Sequence, residues 1–171
     1  MGIKSRSTGF IRPTAVVAVL MAPFAFAAPA RADTADSWVS DNCAVANNPD
    51  CRSGVNVLWV NYNSVDANGY TDSASAHFLG KVSDYAGMIA VNGSLYTTYH
   101  YIFSNGGNGS GQAVKNNAAS VLACSSAANY RVYFNSNYGG HSQYISGDWG
   151  CNNGVNLDST LHNNNASQAW G

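Results

Sequence analysis

The chain has 171 residues with 8 Lys or Arg, 9 Asp and no Glu, for a formal net charge of −1. No H-E-x-x-H zinc peptidase can be built without Glu. After residue 32 only Arg52, Lys81, Lys115 and Arg131 are basic, too scattered for a nucleic-acid patch on an anionic domain.

At the start, Lys4, Arg6 and Arg12 precede an apolar run over 14–28, broken by Pro23, then Ala28-Pro29-Ala30 and Arg31-Ala32. This is the n-region, h-region and A-x-A layout of a secretory signal peptide. Cleavage after Ala30 or Ala32 fits, and residues 1–32 are assigned to the signal, which places the protein outside the cell. The remaining 139 residues hold all nine Asp against four basic residues, a net charge of −5. Their apolar runs stop at four residues, against the ~20 that a membrane-spanning helix needs. Polarity comes from neutral side chains instead, chiefly 21 Asn, which favour turns because the amide bonds the local backbone. With ten Tyr and four Trp this is a folding composition, and one core suffices.

Residues 33–54 read as an N-terminal extension and 55–171 as the main domain. Four cysteines behind an export signal form two disulfides. Three pairings are open, and joining chain neighbours gives Cys43–Cys51 and Cys124–Cys151. Strand patterns lie at 55–62, 130–135, 141–145 and 167–170. Asn-Gly, the strongest short hairpin signal, occurs five times. Its best setting is Met88–Val91, Asn92-Gly93 and then 94–103, where Tyr96, Thr98, His100 and Ile102 share one face. A single turn around 83–87 is the only helical expectation. The fold class is all-β.

An internal repeat organises the rest. Asn61-Tyr62-Asn63-Ser64 resembles Tyr133-Phe134-Asn135-Ser136 at a separation of 72, and Asn116-Asn117-Ala118-Ala119-Ser120 matches Asn163-Asn164-Asn165-Ala166-Ser167 at 47. The first unit therefore carries about 25 extra residues between its landmarks, an interval that contains the Asn92-Gly93 hairpin. Two such units predict two Greek keys packed as a sandwich.

Tyr133, seven residues before Gly140 with Ser142 close behind, resembles the βγ-crystallin Greek-key signature. The two corners resemble that superfamily's calcium pattern, N/D-N/D-x-x-S/T-S, with Val121 and Gln168 in place of the final Ser. The run from Gly111 to Ser120, then Arg131–Ser136 and the closing Asn-Asn-Asn-Ala-Ser, is similar to secreted actinobacterial proteins grouped with the Streptomyces metalloproteinase inhibitor in a peptidase-inhibitor family. This resemblance spans 55–170. It implies a βγ-crystallin-like sandwich with an inserted hairpin in the first unit, acting as a monomeric inhibitor of an extracellular peptidase, without catalysis or a required cofactor. The alternative is a calcium-stabilised structural or binding module, with Ca²⁺ held by Asn116, Asn117, Ser120, Asn163, Asn164 and Ser167. These are neutral donors, and so few charges imply a dissociation constant of roughly 10⁻⁴–10⁻³ M.

For inhibition the requirement is an exposed loop made rigid beforehand, so that little ordering entropy is lost on docking. The 147–154 loop, pinned at Cys151, displays Trp149 beside Asp148; the 43–51 loop carries Pro49. Histidines 77, 100, 141 and 162 sit in no nucleophile motif, and Gly140-His141-Ser142 is only half of a G-x-S-x-G elbow.

Overall fold

Aromatic and β-branched residues between Asn- and Gly-rich turns form the strands of the described residues. The computed structural model describes residues 32–43, 56–125 and 127–171. Their elements are β1 (Asp33–Val39), β2 (Val57–Asn61), β3 (Ser75–Leu79), β4 (Gly87–Asn92), β5 (Leu95–Tyr101), β6 (Ser120–Cys124), β7 (Tyr130–Asn135), β8 (Gly139–Ile145), β9 (Val155–Asn156) and β10 (Ser167–Trp170), with a 3₁₀ turn at Ser136–Tyr138.

Two sheets make the sandwich. One runs β3-β2-β6-β9 and the other β10-β7-β8, all antiparallel. The order shows that the two repeats interlock. β9 belongs to the second unit yet pairs with β6 of the first. In return Val82 of the first unit exchanges two backbone hydrogen bonds, 2.9 and 3.0 Å, with Gln168 of β10. Each Greek key thus lends its third strand to the other, and neither sheet is complete alone.

The core lies between the inner faces. Leu58, Val60, Ala76, Phe78, Val121 and Ala123 come from one sheet; Tyr130, Val132 and Ile145 come from the other. Phe78 meets Tyr101 edge-on at 4.9 Å and Tyr85 at 5.3 Å. The interval between Val82 and β6 holds the expected hairpin: β4 and β5 pair around Asn92-Gly93, and β1 adds in parallel to β5. The turn expected at 83–87 is a backbone bond from Gly87 N to Asp84 O.

The corners meet. Asn116 and Asn163 are both left-handed, φ 61° and 56°, a region that Asn tolerates better than most side chains. Asn116 N donates to Asn165 O and Asn163 N to Ala118 O, each at 2.8 Å. Shifting either bond by the 47-residue repeat generates the other, so a pseudo-dyad passes between them. Asn165, fully buried, binds Ala118 N through Oδ1 and Val114 O through Nδ2. Ser120 and Ser167, also buried, donate to Asn63 O and Asn135 O at 2.7 Å. The sixth positions face inward. Val121 is core, while Gln168 accepts from the Tyr85 hydroxyl at 2.7 Å and donates to Gly80 O at 2.7 Å.

Cys124 and Cys151 are bonded, as neighbour pairing predicts. Closing that loop stabilises the fold by about 3.5 kcal/mol in the chain-entropy model. Cys43 is also disulfide-bonded. Its expected partner Cys51, with Pro49, lies outside the described residues.

Replacing Gln168 with Met keeps the volume but strands the buried Tyr85 hydroxyl and Gly80 carbonyl. Urea unfolding should show a loss of about 2–4 kcal/mol, whereas Val121→Ile should cost under about 1.5 kcal/mol.

Candidate functional site

The segment joining β8 to β9 is held along its whole length. At its start Asp148 runs beside the end of β6: Asp148 N donates to Ala123 O at 2.8 Å and Ser125 N to Asp148 O at 3.2 Å. The Asp148 carboxylate then folds the chain over itself. Its Oδ2 accepts from Asn152 N at 2.6 Å and Asn153 N at 2.9 Å, and its Oδ1 from Gly150 N at 3.2 Å. Cys151, at φ 52°, ties the far side to β6 through the disulfide. Both ends need glycine for close approach. A Cβ on Gly147 would stand 2.6 Å from Ala128 O, and one on Gly154 would stand 2.7 Å from Gly69 O.

Trp149 projects from this frame with 82% of its surface exposed. The loop is stiff and its tip is a large apolar ring, the two requirements for a preformed docking element. Asp148 is spent on the loop's own amides, so it positions Trp149. The backbone bonds from Asn152 and Asn153 hold its carboxyl below the ordinary value of 3.8.

A second loop packs alongside. Asp66 closes a turn by accepting from Asn68 N at 2.8 Å and Tyr70 N at 3.0 Å, and Gly154 N donates to Gly69 O at 3.2 Å. Tyr70, 57% exposed, stands at that turn. It borders an open cleft lined also by Asn63, Val65, Thr71 and Asp72. Asn68-Gly69 is one of the five Asn-Gly pairs of the sequence, but the bracing carboxylate two residues before it, Asp66, was not singled out.

The other expected site residues lie elsewhere. Asn116, Asn117, Asn163 and Asn164 stand on the two touching corners at the surface or partly exposed, while Ser120 and Ser167 are buried beneath them. The side-chain oxygens of those four Asn accept no hydrogen bond among the described residues. The histidines are dispersed: His100 bonds Asp36 at 2.8 Å, His141 bonds Asp158 at 2.7 Å, and His77 stacks on Trp59 at 4.4 Å. Ser75 Oγ lies 3.1 Å from His77 Nε2, but Ser75 is only 7% exposed within β3. Burial lowers the His77 pKa, and the Asp41 charge partly opposes this.

No family model and no curated protein matches the chain. A solved structure of the eye-lens βγ-crystallin domain fold is similar, at 11% identity and a TM-score of 0.42, over 68% of this chain and 85% of that one. The class rests on the interlocked strand order: an all-β sandwich of two Greek keys, with a braced aromatic loop at one end.

Because the Asp148 pKa is depressed, the loop's restraint is present above the ordinary value of 3.8 and is lost as pH falls through the lower, folded-state value. The Asn152 and Asn153 amide proton resonances should hold steady from neutral pH to about 4 and move together only below it. In Asp148→Asn they should lose that titration.

Proposed function

We propose that this domain is a secreted recognition module that inhibits a peptidase by presenting the Asp148–Gly154 loop to the enzyme's cleft. The observation that carries the reading is Trp149, 82% exposed at the tip of a loop fixed by a disulfide and three backbone amides on one carboxylate. A loop ordered in advance loses little entropy on docking, and a Trp anchor of this kind dominates binding energy. Tyr70, joined to the loop through Gly69 and Gly154, widens the contact. The peptidase as target comes from the resemblance of residues 111–120, 131–136 and 163–167 to the inhibitor family, and export fits the disulfides.

A second reading, a calcium-stabilised module, is favoured by the amide oxygens of Asn116, Asn117, Asn163 and Asn164. They are left without a protein donor among the described residues, on corners that touch. All are neutral, so they fit a weak site only.

The unit Ala32–Gly171 assayed against thermolysin-like and subtilisin-like peptidases should slow one of these classes at micromolar concentration. Trp149→Ala should weaken that inhibition at least ~30-fold with an unchanged melting temperature. No slowing of either class rejects the inhibitor reading. A melting temperature indifferent to millimolar Ca²⁺ rejects the second.

A further inference from the structure

From Tyr85 to Val114 the chain contains no Asp, Glu, Lys or Arg, on a domain whose net charge is −5. β4 within it is an edge strand: the sheet order is β1-β5-β4, so one side of β4 meets β5 and the other meets no strand among the described residues. Ala86 O accepts from Tyr101 N. By alternation, Met88–Tyr99 and Ala90–Thr97 are the hydrogen-bonded pairs of the antiparallel ladder. The backbone N–H and C=O groups of Ile89 and Val91 therefore point away from β5 and meet no partner among the described residues.

Their side chains are open too. Ile89 is 61% and Val91 58% exposed, on the face that also carries Tyr96, the cross-strand neighbour of Val91. Natural sheets blunt such edges with charge, proline or a bulge. The opposite edge of this sheet follows that rule, since β1 carries Asp33 and Asp36. β4 reads Gly-Met-Ile-Ala-Val-Asn and has none of these devices.

We propose that two copies of this chain pair through β4, antiparallel, about a two-fold axis at Ala90. The occupant is a second copy because the strand is self-complementary. That axis sets Ile89 opposite Val91 of the second copy and Val91 opposite Ile89 of the second copy. The outward amides and carbonyls of these residues then bond one another, and four branched side chains cluster on one face. The two three-stranded sheets become one continuous sheet. The uncharged hairpin is also where two anionic domains approach with the least repulsion. A single strand pair buries little area, so the association is weak.

Sedimentation velocity of the unit Ala32–Gly171 from about 1 to about 500 µM tests this, with association expected to be concentration-dependent. Ile89→Lys sets two cations against an apolar partner and should weaken association at least ~10-fold, with unchanged melting temperature and circular dichroism. Ile89→Lys/Val91→Asp sets Lys against Asp of the second copy in this register and should restore association toward the wild-type constant. A wild type monomeric across the whole range overturns the proposal. So does association indifferent to Ile89→Lys, or a double variant no better than the single.

Discussion

The structure depends on an exchange: each Greek key completes the other's sheet. The two reciprocal backbone bonds at the corners, Asn116 to Asn165 and Asn163 to Ala118, fix that exchange at its centre. They require both Asn116 and Asn163 in the left-handed region, where the chain reverses tightly enough to lead into β6 and β10. One serine on each side, Ser120 and Ser167, then ties the corner to its own unit's first hairpin through Asn63 and Asn135. Gln168 extends the same logic into the core. It stands where the repeat has Val121, and it joins the second unit to Tyr85 and Gly80 of the first.

What could be read in advance followed from which constraints leave local marks. The Asn-Asn-x-x-Ser corners and the Asn92-Gly93 turn are local, because turn conformations select residue types directly, and both are found where expected. The longer interval of the first unit holds the β4–β5 hairpin. β6 did not show itself as a strand: every residue of Ser120–Cys124 is buried, so the polar–apolar alternation that marks a one-sided strand is absent. β3 hides behind small residues, Ser75 and Ala76, and β1 is mostly polar and joins its sheet only by pairing with distant β5. At the candidate site the loop, its disulfide and Trp149 were legible. Asp148 as a brace was not, since a carboxylate that caps amides two to five residues onward looks like any surface Asp.

The two units differ in their connections. They share strand order and corners, but the first inserts β4 and β5 after Val82 while the second lengthens the connection before β9. The Trp149 loop and the β4 edge both arise from departures from the repeat, and the shared parts serve as frame. Such a division lets a loop change without disturbing the exchange of strands.

The corner contacts that join the two keys are insulated from pH, since they use backbone groups, Asn, Ser and Gln, none of which titrates. Tyr85, whose hydroxyl meets Gln168, is held neutral because burial pushes its pKa well up. Carboxylates with lowered pKa values shape loops instead: Asp66 through the amides of Tyr70 and Asn68, Asp148 through those of Asn152 and Asn153. Acidification reaches β3 first, because the unfolded chain protonates His77 below its ordinary value of 6.5 while burial keeps it neutral in the fold; the loop carboxylates follow only below 3.8. Asn rather than Asp at the corners keeps the join between the keys out of both titrations.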